Sequence, residues 1–371
     1  MTSTSTMNTD PAVTGVRVAV YRFPTPETEG DGTLTWDATT AVTVEVDAGG
    51  CTGLGWTYSA GAAARVVEDL LAGILHGRDA LDVPGAWAAM QRAGRNLGTR
   101  GLFGQALSAV DVALWDLKAR LLGVPLADLF GRVRNRVPVY GSGGFTTLSD
   151  EQLADQVAGW QEAGCTAMKI KIGESWGTEV TRDLARVREL RALAGDDVDL
   201  MVDANGGYTV GQARRVGAAL DELGVVWFEE PVSSDHLEQL QLLRSCLECD
   251  VAAGEYVADV IEARRLAPVV DCLQLDVTRC GGYTGWLRCA AVAGAAGLQV
   301  SAHCAPSLHA PVAASLPDLR HVEWFVDHAR LEPELVSGAP KVSGGALVVD
   351  DRPGHGMTLR PDAARWRVAD R

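Results

Sequence analysis

A chain of 371 residues, 47% hydrophobic and 22% charged, is long enough for two or three domains around a large core. Its 33 basic and 48 acidic residues leave a net charge of −15, which argues against nucleic acid and anionic lipid as partners, since both require a basic footprint. No apolar run reaches the roughly 18 residues of a membrane-spanning helix.

Residues 1–12 are Ser/Thr-rich and lack the basic and apolar regions of a signal peptide. They read as a disordered leader, and the protein is expected in the cytoplasm. From 13 to 134 short β-branched strands come first, at 16–21 and 41–46, the second followed by Gly-rich turns at Gly49, Gly50 and Gly53. Apolar residues at helical spacing follow at 61–75 and 104–122, giving an N-terminal α+β domain.

From 135 the rhythm changes to short apolar strands alternating with amphipathic stretches such as 150–163 and 210–223. Strands are expected at 137–141, 167–172, 199–203, 225–230, 251–254, 272–276, 299–303 and 322–325. Eight strands alternating with helices imply an α/β fold, a parallel (β/α) TIM-type barrel over 135–345. The last segment, 346–371, is expected to return to the first domain. Eight scattered cysteines read as buried free thiols, and the single CxxC at Cys246 and Cys249 lacks the partners of a zinc site.

In such a barrel the chemistry sits at the C-terminal ends of the strands. The candidates there are Lys169 and Lys171, Asp203 and Asn205, Glu229 and Glu230, Glu255, Asp276, His303 and Glu323. Asp203, Glu229 and Glu255 are spaced 26 residues apart, one βα unit per step, so the three carboxylates arrive at one height on neighbouring strands. One such carboxylate is often only an N-cap. Three in register repel one another unless a cation lies between them, and hard oxygen ligands suit Mg²⁺. Lys169 and Lys171 share a face of their strand, at a polar rim or the barrel mouth, where one is a feasible base. His303 beside Asp276 forms a second acid/base pair. His309 and His328 remain outside candidates.

These residues, in this order, resemble the mandelate racemase group of the enolase superfamily. The matching runs are Met168-Lys169-Ile170-Lys171-Ile172-Gly173, Met201-Val202-Asp203-Ala204-Asn205, Trp227-Phe228-Glu229-Glu230-Pro231, Gly254-Glu255, Asp276 with Gly281-Gly282-Tyr283-Thr284-Gly285-Trp286, Ser301-Ala302-His303, and Glu323. The stretch ALSAVDVALWDLK at 106–118 resembles the helix that precedes the barrel in that family. The resemblance implies a modified (β/α)7β barrel with an α+β capping domain and a homo-oligomer. It also implies one Mg²⁺, replaceable by Mn²⁺, on Asp203, Glu229 and Glu255. Lys171 would be the base on one substrate face and His303, paired with Asp276, the acid/base on the other. Lys169 would neutralise the substrate carboxylate and lower the pKa of Lys171, and Glu323 would hydrogen-bond the nascent enediolate. Ser142, Asn205 and Tyr58 would contact substrate. Two mobile capping loops, roughly 23–40 and 55–61, would set specificity.

Two bases on opposite faces permit either racemisation of a 2-hydroxy acid or dehydration of an acid sugar to a 2-keto-3-deoxy acid. The family prior favours dehydration. The capping loops are ambiguous: Glu27, Glu29 and Asp31 suit a polyol, Trp36, Trp56 and Tyr58 an apolar group, and the lack of Arg in either loop disfavours a diacid. A Schiff-base aldolase would need one buried Lys and no metal, and a scaffold protein would have lost some of these residues.

Overall fold

The structure is a computed structural model and describes residues 10–369. Most of the expected leader, 1–9, lies outside the described residues. Pro11 and Ala12 are already anchored, with the Pro11 carbonyl accepting from the Ala80 N–H at 2.9 Å and Ala12 bridged to Asp79.

Three antiparallel strands, β1 (Val13–Gly30), β2 (Thr35–Ala48) and β3 (Cys51–Tyr58), form the N-terminal sheet in the order β1-β2-β3. Two sequence expectations change here. The segment read as a loop at 23–40 is the outer half of a long hairpin: Phe23 pairs with Thr39, and after a register shift Glu29 pairs with Trp36. Gly49 and Gly50 make the turn between β2 and β3 as expected, whereas Gly53 and the first part of the second expected loop, 55–58, belong to β3. Its glycines answer to packing, because a Cβ on Gly53 would lie 2.1 Å from the Ala113 carbonyl oxygen and one on Gly55 2.2 Å from that of Ala109. Only glycine lets the helix Leu102–Leu122 lie directly on the strand. A further helix, Val83–Ala93, was not expected from periodicity. Asp82 caps it by accepting from the Gly85 N–H at 3.0 Å, and Pro84 sits in its first turn.

Eight parallel strands follow: β4 (Arg136–Gly143), β5 (Ala167–Lys171), β6 (Asp199–Asp203), β7 (Val225–Glu229), β8 (Asp250–Ala253), β9 (Cys272–Leu275), β10 (Gln299–Ala302) and β11 (Leu319–Phe325). They pair in sequence order, and β11 pairs with β4 to close the barrel. Helices begin where the sequence caps them: Ser149 with Gln152, and Thr209 with Gln212, each form a complete capping box. The pleat then decides what each side chain meets. Met168, Ile170, Ile172, Val202 and Phe228 point outward into the core shared with the helices. Tyr140, Met201, Trp227, Ala252 and Cys272 point inward and fill the barrel floor. Two residues further along, on the same inward face, stand Ser142, Asp203 and Glu229.

The chain end returns to the first sheet. The Val368 N–H donates to the Val20 carbonyl at 2.8 Å, and the Trp366 ring packs 5.6 Å from that of Phe23. All eight cysteines are unpaired; six are buried as expected, Cys51 is half-buried, and Cys246 is exposed because it lies past the C-terminus of the helix Leu237–Arg244. No helix among the described residues is long and apolar enough to cross a membrane.

The close approach of β3 to its helix makes a stability prediction. Gly55→Ala should lower the free energy of unfolding by about 1–3 kcal/mol through overpacking. An unchanged denaturation midpoint would contradict that packing argument.

Candidate active site

The strand ends bring the expected groups together. In the β5–β6–β7 register Lys171 lies opposite Asp203, and Asp203 opposite Glu229. Carboxylate oxygens of Asp203, Glu229 and Glu255 come within 4.8 Å of one another, all buried. Lys171 Nζ donates to Asp203 Oδ2 at 2.5 Å. Lys169 Nζ reaches Glu229 Oε1 at 2.6 Å and Glu323 Oε1 at 2.9 Å. Asp276 and His303 each lie one residue beyond the end of a paired strand, and His303 Nδ1 meets Asp276 Oδ2 at 2.9 Å. The other Asp276 oxygen accepts from the N–H and hydroxyl of Thr278, both at 2.7 Å, so Oδ2 is the oxygen that orients the imidazole.

Of the rim or barrel mouth expected for the lysines, the structure has the mouth, and there both are buried. Lys169 is 0% and Lys171 6% exposed, because the surrounding carboxylates hold the ammonium groups inside the barrel. Burial disfavours both cations, yet Glu229 and Glu323 hold Lys169, and Asp203 holds Lys171, well above the ordinary lysine value. Lys169 does lower Lys171, as expected, but Asp203 at contact distance outweighs it. Glu229 is pushed up to about 8 by burial and by Asp203 beside it. Burial also opposes the charge on Glu323, but Lys169 and His303 keep it ionised. It accepts from the Ser142 hydroxyl at 2.6 Å and from the Cys304 N–H at 2.8 Å. Ser142 therefore positions Glu323 from below and does not line the pocket.

Above these groups lies a cavity of about 390 Å³, floored by Lys171, Asn205, Glu255, Asp276 and His303. Its upper wall comes from the N-terminal sheet, including Asp31, Trp36, Thr39 and Tyr58, from Phe325 at the end of β11, and from Asp327 and His328 after it. Tyr58 donates to Glu332 Oε1 at 3.0 Å and stacks on His328 with centroids 3.6 Å apart. Sequence reasoning missed Arg279, three residues past Asp276. It meets Glu255 Oε1 at 3.0 Å and Asp276 Oδ2 at 3.4 Å, tying a ligand candidate to the orienting aspartate. Its only sequence signal is its place in the turn after a strand.

The donor set fits a hard divalent cation. Three buried carboxylates converge, and Glu255 Oε2, Asn205 Oδ1 and Glu230 Oε1 are buried without a hydrogen-bond partner. Such orphaned oxygens are costly unless something positive meets them.

Family comparison agrees with the geometry. Residues 23–131 match the mandelate racemase / muconate lactonizing enzyme N-terminal domain, and residues 152–363 match the enolase C-terminal domain-like family. This chain belongs to the mandelate racemase / muconate lactonizing enzyme family. A solved member from Rubrobacter xylanophilus, described as a mandelate racemase/muconate lactonizing enzyme-like protein, is 46% identical with a TM-score of 0.93, over 96% of this chain and 100% of that one. A racemase structure from Streptomyces coelicolor with bound magnesium is 32% identical with a TM-score of 0.90, over 96% of this chain and 100% of that one. The L-talarate/galactarate dehydratase of Salmonella typhimurium is 31% identical over 326 residues, 85% of this chain and 79% of that one. Family relatives also include arabinonate, gluconate and galactonate dehydratases and a dipeptide epimerase.

Around the site, buried histidines are locked neutral. His309 Nε2 accepts from the Val277 N–H at 3.0 Å, His328 Nδ1 from the Ala305 N–H at 3.0 Å, and His355 Nδ1 from the Met357 N–H at 3.1 Å. Protonating any of them sets a donor against a donor. Burial lowers all three, His328 to about 4, and lowers His321 to about 3. Unfolded, each titrates near 6.5. For these histidines the unfolded chain binds more protons below that value, so their own contribution to stability falls as pH drops from about 6.5 toward 4. His303, held above its ordinary value by Glu255 and Glu323 against the effect of burial, works the other way, as do Glu29, Asp111 and Glu332, each pushed up to about 7 chiefly by burial. In the folded protein the ring NMR signals of His309, His328 and His355 should therefore stay in the neutral form at about pH 5.5, where a free imidazole is mostly protonated. A ring that titrates near 6.5 would contradict the neutral-histidine assignment.

Proposed function

We propose that this enzyme removes the α-proton of a hydroxy-carboxylate to give an enediolate, and that its reaction is dehydration of an acid sugar to a 2-keto-3-deoxy acid. One observation carries the reading. Two acid/base groups, Lys171 on β5 and the Asp276-oriented His303 after β10, face one cavity from strands separated by β4 and β11 one way and by β6 to β9 the other.

Asp203, Glu229 and Glu255 would hold Mg²⁺, with Asn205 beside them. When bound, the ion supplies positive charge against the enediolate oxygens, where stabilisation matters most for so weakly acidic a proton. Lys169 adds a second, fixed positive charge from below. Lys171 Nζ is the group that takes the α-proton, and this requires that it first give up the proton it shares with Asp203. His303, whose Nδ1–H is held by Asp276, has its Nε2 3.4 Å from Glu255 Oε2 and from Cys304 Sγ, and on leaving these contacts Nε2–H can protonate the departing β-hydroxyl from the other side. Glu323 accepts from every donor around it, so a substrate carboxylate arriving there is a second anion. Such a pair favours uptake of one proton, after which Glu323 can donate to the enediolate. Ser142 keeps Glu323 in place, and Tyr58 closes the pocket wall against His328.

The same two groups would return a proton to the opposite face in a racemase or epimerase, and the product distinguishes the cases. Eight unpaired cysteines fit a cytoplasmic enzyme, and a symmetric homo-oligomer belongs to the same reading.

Proton NMR in D₂O with Mg²⁺ tests the proposal. Loss of the α-proton with appearance of a 2-keto-3-deoxy acid marks dehydration, and deuterium wash-in without a new species marks racemisation. Lys171→Ala and His303→Asn should each cut turnover by about 10²–10⁴-fold, the usual contribution of a positioned acid or base. Near wild-type turnover in both variants would end the two-base mechanism. Glu255→Gln should weaken Mg²⁺ binding measured by calorimetry in the absence of substrate, and unchanged affinity would remove Glu255 from the ligand set.

A further inference from the structure

The two ends of the cavity differ in charge. At its floor Lys171 and Arg279 are the lining Lys and Arg side chains, and both are engaged, Lys171 with Asp203 and Arg279 with Glu255 and Asp276. The upper wall, built from the β1–β2 hairpin and the segment after β11, offers no lysine or arginine among the described lining residues. It carries Asp31 and Asp327 instead. Asp327 is paired with Arg330 and accepts from the Thr39 hydroxyl; Arg330 Nη1 also donates to the Pro24 carbonyl at 3.1 Å, its Nε is buried without a hydrogen-bond partner, and the residue does not line the cavity. Asp31 Oδ1 accepts from the Thr33 N–H, the Thr33 hydroxyl and the Leu34 N–H. Its Oδ2 makes no hydrogen bond among the described residues, so one carboxylate oxygen at this end remains available as an acceptor.

The donor at this end is His328. Because its Nδ1 accepts the Ala305 N–H, the proton must sit on Nε2. His328 lines the cavity, and its Nε2 makes no hydrogen bond among the described residues. The ring cannot turn away, since Tyr58 stacks on one face and Phe325 meets it edge-on with centroids 5.3 Å apart. Beside it Trp36 and Phe145 pack edge to face at 5.4 Å and give this end an apolar side. A free acceptor, a fixed neutral donor and an aromatic side match hydroxyl groups on a carbon chain. A second carboxylate there would meet Asp31 and Asp327 with no lysine or arginine among the described lining residues of that wall to balance it.

We propose that the acid taken by this pocket carries a single carboxylate. Its far end is an uncharged hydroxylated tail, accepting from His328 Nε2–H and donating to Asp31, so an aldonic acid is preferred over the aldaric acid of the same configuration. The inference rests on the enediolate reading above and narrows its substrate class.

The test uses the whole Mg²⁺-loaded enzyme with paired five- and six-carbon aldonic and aldaric acids, following α-proton loss and 2-keto acid formation. For the best pair, kcat/KM should favour the aldonate by about 100-fold or more, as expected where one partner leaves charge unbalanced in the site. His328→Asn should raise KM for that aldonate by about 10-fold with a smaller effect on kcat, the signature of lost ground-state binding. Asp31→Asn should narrow the preference by improving KM for the aldarate. An aldarate turned over as well as its aldonate overturns the single-carboxylate inference and leaves the enediolate reading standing. No α-proton loss from any acid of either class, in protein shown by calorimetry to bind Mg²⁺, overturns both.

Discussion

Two ammonium groups lie buried among carboxylates at the mouth of the barrel, and the rest of the site depends on how they are balanced. Lys169 has no exposed surface and is held by Glu229 and Glu323, while Lys171 is held by Asp203. Removing one partner of such a buried set leaves an uncompensated charge, which costs about 3–5 kcal/mol, so the cluster is fixed as a unit. The balance is nonetheless incomplete. Glu255 Oε2 and Glu230 Oε1 have no hydrogen-bond partner, and burial, with Glu255 next, raises Glu230 well above its ordinary value. The protein alone therefore leaves acceptor oxygens at this point without donors. A divalent cation would meet them, and those unpartnered oxygens are what prepares the site to receive one.

That cluster is carried by two periodicities that can be read without a structure. Side chains alternate across a strand, so Lys169 and Lys171 face one way and Met168, Ile170 and Ile172 the other. One βα unit returns the chain to the same height, so carboxylates 26 residues apart meet. Strand β6 ends at Asp203 and β7 at Glu229, as the apolar runs that precede them imply. Depth was not legible in the same way. Alternation places both lysines on one face but does not say whether that face is wet, and only the converging acids from β6, β7 and β11 decide that it is dry.

What stayed hidden depends on contacts between distant segments. Gly53 and Gly55 look like turn residues until the helix Leu102–Leu122 is laid on them, when the same absence of a Cβ becomes a packing requirement. The hairpin arm from Phe23 to Thr40 looks like a loop because its outer residues are polar and prolines interrupt it, yet the pairing with β2 persists. Arg279 and His328 carry no periodic signal at all. Arg279 matters because a tight turn after β9 aims it back at Glu255 and Asp276, and His328 because the Ala305 N–H fixes its tautomer.

The backbone itself is bent around this chemistry. Among the described residues six non-glycine positions have positive φ, and four of them follow strand ends at the site: Asn205 (45°), Glu230 (35°), Cys304 (51°) and Ala305 (40°). Each costs roughly 1–3 kcal/mol and persists only where the surroundings overdetermine it. Two of these turns come immediately after residues of the constellation, Glu230 after Glu229 and Cys304 after His303, and Asn205 follows Asp203 by two. The sharp reversal lets a strand present its last inward side chain and then leave the barrel without covering the cavity. Glycine would relieve the strain at each position. At 205 it would also remove an amide that lines the cavity beside the carboxylates, and at 230 a carboxyl buried against Glu255. The strain is thus located where a side chain and a sharp turn are both required, and the closed barrel beneath is what holds it.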